Sequence, residues 1–379
     1  MKIVIAPDSY KESLTAIQIA KIIQSGFTEV FPDADYQLIP VADGGEGTVR
    51  SIIDATKGRY LTKKVTGPLR NQVEATYGIT GDGRCAIIEM AEASGLALVK
   101  KDERNPYITT SFGTGELILD ALDQGVSKII LGIGGSATND GGVGMIQALG
   151  GRFLDEEGRE LPFGGKALKH LVTIDLSNLD PRIENCDFEV ACDVDNPLTG
   201  ERGASMIFGS QKGATPEMVK VLDYALYHYA TLLEETLGVD VNSIKGAGAA
   251  GGMGAACVAF LKGHLRPGID IVIEAVNLEA SVQEADLVIT GEGKIDLQTC
   301  FGKTPVGVAK IAKKYQKPVI AIAGSLGEGY ELTADHGIDA VFSVVNSPVS
   351  LEEAIEATPD NLLQLARNIA MVYKLGLKY

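Results

Sequence analysis

The sequence predicts an α/β protein of two domains: a doubly wound parallel sheet of five strands formed by both chain ends, and a second, mixed α/β domain inserted into it. Three observations predict this. Apolar, β-branched runs alternate with amphipathic helical patterns at the two ends of the chain. The middle changes texture, to short strands joined by Gly turns. The length, 379 residues, suits two domains of ordinary size.

Lys2–Ala6 is β-branched and breaks at Pro7, as a buried parallel strand does. Ser13 is placed to cap an amphipathic helix over 16–30, with Ile17, Ile22, Ile23 and Phe27 on its apolar face. A second strand over 36–41 ends at the polar turn 42–47, and a helix follows over 48–56. Short antiparallel strands are expected at 61–65, 73–79 and 84–89. After them come a helix at 113–123, a strand at 128–132 and a Gly-rich helix start at Gly141. A long helix is expected over 215–237, and the Gly/Ala run 246–256 opens another. The alternation then returns, with strands at 286–290, 318–323 and 340–344 and helices at 304–315 and 351–375. Two strands in front and three behind make a sheet flavodoxin-like in outline. Its expected segments are 1–65 and 285–379, with the inserted domain at 66–284 and an active site in the cleft between the two.

Composition excludes several classes of function. A net charge of −16 repels nucleic acid and anionic membrane. With no Trp and few aromatics, the chain lacks stacking platforms for single strands. The 5 cysteines include no CxxC pair and read as reduced thiols. The apolar stretch in MKIVIAPDSY is too short for a signal peptide, and no run approaches the ~20 residues of a membrane span. The expected location is the cytoplasm, and a homodimer is compatible with everything above.

In an open α/β sheet, ligands gather at the carboxyl ends of the strands. The loops there are 6–13, 43–48, 291–296 and 323–327, rich in Asp, Glu, Lys, Ser and Gly. Any one of them suits an ordinary turn as well as a site. The segment 131–142, LGIGGSATNDGG, runs strand, small-residue loop, helix start. Its glycines would let the backbone approach a phosphate, and Ser136, Thr138 and Asn139 add donors. A second segment, GAGAAGG at 246–252, matches the dinucleotide spacing G-x-G-x-x-G, with Asp270 at a suitable distance. Residues 242–245 make a poor strand before it, so phosphate contact and close helix packing explain these glycines equally well. Gly302-Lys303-Thr304 ends like a P-loop, but Leu297 stands where its first Gly belongs. Asp43, Asp140, Asp193, Asp195 and Asp296 sit in loops of the kind that hold Mg²⁺ or cap helices. Neither H-E-x-x-H nor G-x-S-x-G occurs, and the four histidines are scattered.

The segments APDSYKESL, ADGGEGT, LGIGGSATNDGG, CDVDNPLTG, GAGAAGGMGA and GEGKIDLQTCFGKTP, in this order, resemble the bacterial glycerate kinase family of the type acting in glycerate and glucarate catabolism. Tyr10 stands where that family commonly has Phe, and Lys294 where it often has Arg. The resemblance implies phosphoryl transfer from ATP to glycerate with Mg²⁺, giving 2-phosphoglycerate. On that reading, Lys11 meets the glycerate carboxylate, and Asp193 or Asp296 takes the hydroxyl proton. Asp8, Ser9, Asp43 and Lys294 contact substrate, with Asp8 and Asp43 open to a metal role too. Asp140 and Asp195 are the expected metal ligands. Gly134, Gly135, Ser136, Thr138, Asn139, Gly141, Gly251, Gly252 and Lys303 hold phosphate oxygens. The alternatives are a kinase of another small hydroxy acid, an NAD-dependent enzyme using 246–251, and a non-catalytic metabolite-binding protein.

Overall fold

The computed structural model describes residues 1–45 and 47–377, so Glu46 of the second loop lies outside the described residues. The chain forms two compact units, one of residues 1–43, 50–56 and 269–379, the other of 44–49 and 57–268.

In the first unit, five strands pair in parallel: Lys2–Pro7, Asp35–Leu38, Leu287–Gly291, Val319–Ala323 and Ala340–Ser343. Counted along the chain, their spatial order is second, first, third, fourth, fifth. The inner strands are apolar because helices cover both faces of such a sheet, and Ile3, Ile5, Leu287 and Ile289 are fully buried. Thr15, rather than Ser13, caps the Ala16–Thr28 helix, through a reciprocal box with Gln18. That helix lies against the Leu351–Gly376 helix so closely that a Cβ on Gly26 would sit 2.8 Å from the Ala366 Cβ. Because all five strands run the same way, the loops at 8–15, 39–43, 292–303 and 324–329 leave one edge of the sheet.

In the second unit, six strands form a mixed sheet, in the order His264–Arg266, Asp187–Ala191, Lys128–Gly132, Cys85–Glu89, Gln72–Ile79 and Arg59–Thr66. The first three pairings are parallel and the last two antiparallel. Residues 59–65, expected with the chain ends, belong here, since the Arg59–Thr66 strand pairs with Gln72–Ile79 along its whole length. Residues 269–284, expected in the inserted domain, belong with the first unit. The Pro216–Leu237 helix starts at Thr215, whose side chain accepts from the Met218 N–H, and stops at Gly238 in the left-handed region. Its buried face, Ala225, Leu226, Tyr229, Ala230 and Leu233, joins the core of this unit. Among the described residues, no helix is long and apolar enough to cross a membrane.

Candidate active site

Where the Lys128–Gly132 and Asp187–Ala191 strands end, the second unit has a cavity of about 320 Å³. Gly44, Gly45, Gly134, Gly135, Ser136 and Asp193 line it, with Leu96, Ile133, Val194, Phe208 and Ala249 as its apolar wall. Gly134 and Gly135 are exposed, and a Cβ on Gly134 would meet nothing within 4 Å. Gly135 needs its glycine for a φ of +74°. Gly44 has a φ of +94°, and a Cβ there would overlap Gly268. Asp193 accepts a 2.9 Å hydrogen bond from the Gly268 N–H, which orients its carboxylate at the cavity. An apolar wall beside a bare backbone turn suits a nucleoside with a phosphate chain.

Other expected members of this set do other work. Thr138 and Asn139 are wholly buried behind the turn, Asn139 donating to Ser205 Oγ at 2.9 Å. Gly251 takes a φ of +67° against the Thr138 carbonyl, and a Cβ on Gly252 would lie 2.8 Å from the Gly141 Cα. Gly141 itself packs on the Tyr229 ring. The structure gives these five packing contacts, with their surfaces covered by protein. The residues before 246–252 form a 3-10 turn, Val241–Ser243, and not a strand, so the dinucleotide reading lacks its structural context.

The two expected metal ligands, Asp140 and Asp195, have partners within the protein. Asp140 is buried, and its carboxylate accepts from Ser111 N and Oγ, both at 2.8 Å, and from Gly142 N and Gly144 N. Burial pushes its pKa up while those four donors pull it down. This carboxylate organises a loop. Asp195 is exposed and pairs with Arg202 at 2.6 Å.

The first unit gathers carboxylates in the loops after its strands. Asp8 accepts from Thr304 Oγ1 at 2.7 Å and from Ser9 N at 2.6 Å. Burial, with Asp43 adding like charge, raises Asp8 to about 6. Glu292 accepts from Thr299 Oγ1 at 2.5 Å and stands 3.7 Å from Lys303 Nζ. Burial raises it to about 7; Thr299 and Lys303 oppose the shift, and Asp8 and Asp43 add to it. Asp296 behaves otherwise: Lys294, 3.1 Å away, holds its carboxyl below the usual range, and it caps the Leu297–Phe301 turn. An ion-paired cap with a lowered pKa is a weaker base than a carboxyl whose pKa lies near neutrality. Lys11 is exposed at the opening of the first loop.

Sequence reasoning missed Glu292, although it lies in a loop already singled out, and Thr304, the first residue of the Thr304–Lys314 helix, and it missed Lys212 altogether. Lys212 is 2% exposed and lines the cavity, donating to Ser136 Oγ at 2.8 Å and to the Thr138 carbonyl at 2.6 Å. In QKGATPEM, nothing marks this lysine as a buried one.

A family model described as "Glycerate kinase family" matches residues 3–374. The chain belongs to the glycerate kinase family. It is 58% identical over 370 residues to a glycerate kinase of Halalkalibacterium halodurans, covering 98% of this chain and 97% of that one. It is 57% identical over 378 residues to the glycerate 2-kinase of Escherichia coli K12, covering 100% and 99%. A crystal structure ascribed to glycerate kinase 2 of Salmonella typhimurium LT2 superposes with a TM-score of 0.94 at 57% identity, covering all of both chains. Within this glycerate kinase family chain, Tyr10 is accommodated by one bond. Its hydroxyl, buried and pushed up in pKa, donates to the Ile322 carbonyl at 2.8 Å.

Proposed function

We propose that this protein transfers the γ-phosphoryl group of ATP to the 2-hydroxyl of glycerate, releasing ADP and 2-phosphoglycerate in the cytoplasm. The unit with the five-stranded sheet is flavodoxin-like in strand order, and the second unit interrupts it in sequence. The observation that carries the reading is the pair Asp8 and Glu292, two carboxyls held near neutrality in adjacent strand-end loops.

In this reading, ATP occupies the glycine-turn cavity, with its base on the apolar wall and its phosphates over Gly134 and Gly135. Lys11 takes the glycerate carboxylate. The glycerate hydroxyl oxygen forms its bond to the γ-phosphorus as the bond from that phosphorus to the β,γ-bridging oxygen breaks. The hydroxyl proton passes to Glu292, whose pKa near 7 suits a base at physiological pH. Lys303, beside Glu292, stabilises charge on the transferring group.

Mg²⁺ fits the residues present. Asp43 raises Asp8, and both raise Glu292, so a cation near Asp8 and Asp43 relieves their repulsion. Among the described residues, no group of three His, Cys, Asp or Glu forms a metal cage. That suits an ion held by one or two carboxylates plus substrate phosphates. When bound by Asp8 and Asp43, it would neutralise phosphate charge.

The test is ADP release by purified protein with Mg-ATP, with and without D-glycerate, the phosphoglycerate isomer being resolved by NMR. Glycerate-dependent turnover giving the 2-isomer supports the reading. Turnover with lactate or tartronate but not glycerate would hand it to another small hydroxy acid. Folded protein without turnover on any of them would leave a metabolite binder.

A further inference from the structure

The buried lysine in the cavity wall has a chemistry that packing alone does not account for. An ammonium carries three N–H donors, and two are spent on Ser136 Oγ and the Thr138 carbonyl. Both acceptors are neutral, so neither balances the charge. A buried, unneutralised ammonium is costly, and a chain that only needed to tie a loop could use a neutral donor. Among the described residues that line the cavity, Lys212 is the only cation. Its acceptors flank the turn whose exposed glycines face the same space.

We propose that Lys212 is a phosphate-binding residue of the nucleotide cavity: two of its N–H groups fix the Gly134–Ser136 turn, and the third meets an anionic oxygen of the nucleotide's phosphate chain. This rests on the assignment of the cavity to ATP. Three charged groups belong to its surroundings: Asp140, Arg104, and Asp193, whose carboxylate lines the same cavity. Asp140 acts on Lys212 by its charge, and its oxygens are already taken by four donors. Arg104 donates to the Gln211 carbonyl at 3.1 Å, next to Lys212 in the chain. Burial depresses the lysine to about 7, against the pull of Asp140, so an arriving phosphate would raise it again and draw in a proton.

The experiment is calorimetric titration of the whole protein with adenosine and with ADP, on the wild type, Lys212→Met and Phe208→Ala. Phe208 lines the same cavity, and its truncation is expected to weaken both ligands alike. Lys212→Met is expected to weaken ADP tenfold or more and to change adenosine less than about twofold, the pattern of one lost charge-assisted bond. Equal weakening of both ligands would mean the lysine only supports the wall, and unchanged ADP binding would mean it does not act at all; either overturns the proposal. If Phe208→Ala is also without effect, the assignment of the cavity to nucleotide falls with it. Should Lys212→Met fail to fold, the wild type decides. At pH 8, ADP binding measured in two buffers of different ionisation enthalpy is expected to show net proton uptake, and its absence overturns the proposal.

Discussion

The Thr304 hydroxyl donates a 2.7 Å hydrogen bond to Asp8 Oδ2, joining the first turn of the Thr304–Lys314 helix to the loop after the first strand. This bond favours the ionised carboxylate against burial and against the like charge of Asp43. Thr304→Val should therefore push Asp8 higher than about 6. At pH 7, a larger share of the enzyme would carry a protonated Asp8, and kcat/KM for glycerate should fall by roughly threefold to tenfold. Raising the pH to 8.5 should recover most of the loss. A pH profile of both proteins checks this, and an equal deficit at every pH would refute it.

Glu292 sets the other acid limb. With its pKa raised to about 7, the carboxyl is neutral below that pH and cannot take a proton. The wild-type rate should therefore fall as pH drops through 7 and level off above it. Glu292→Gln should lower kcat by about 10²–10⁴ and leave KM for glycerate within a few-fold, as loss of a base does. If Asp193→Asn instead carries the larger loss in kcat, the base is Asp193.

The framework of the five-stranded sheet was legible because its inner strands are buried on both faces, and residues 3–6 and 287–289 within them are unbroken apolar runs. The boundary near residue 57 was not. Arg59–Thr66 was legible as a short antiparallel strand, but its unit was not: it is exposed and charged, and its place is fixed by pairing with Gln72–Ile79 and by the bonds of Lys63 to Asp120 and of the Thr66 N–H to Glu116. The loops of the site were legible as loops, through their Gly, Asp and Ser content. Which way each side chain faces was not. Asp140 and Asp193 sit in similar polar loops, yet one is sealed under Ser111 and the other opens on the cavity. Lys212 shows the same limit, since burial of a lysine is a tertiary fact.

The carboxylate cluster should cost stability in the metal-free protein. Asp8 is raised from 3.8 to about 6 and Glu292 from 4.5 to about 7. Between about pH 4 and 7 the folded state thus holds protons that the unfolded chain has lost, and stability falls as pH rises through that window. Asp43→Asn removes a charge that raises both groups. Relative to wild type, the variant should gain stability on going from pH 5 to pH 8, by the equivalent of a few degrees in Tm. Denaturant unfolding in EDTA at the two pH values measures it. Adding Mg²⁺ at pH 8 should stabilise the wild type more than the variant.

Two glycines of similar appearance in the sequence should respond in opposite ways. Gly251 has a φ of +67°, and a Cβ there would overlap the Thr138 carbonyl oxygen, which belongs to buried backbone that has no room to give. Gly251→Ala should cost roughly 3 kcal/mol, from overpacking and left-handed strain together. ADP affinity of the folded fraction should change little. Gly134 faces open space in the cavity, and a Cβ there meets nothing within 4 Å. Gly134→Ala should leave thermal unfolding unchanged, and it should weaken ADP, because the methyl takes the room a phosphate oxygen needs against the bare turn. Thermal melts and ADP titrations on both variants separate the roles. A stable Gly251→Ala with lost ADP binding would return that glycine to the phosphate site.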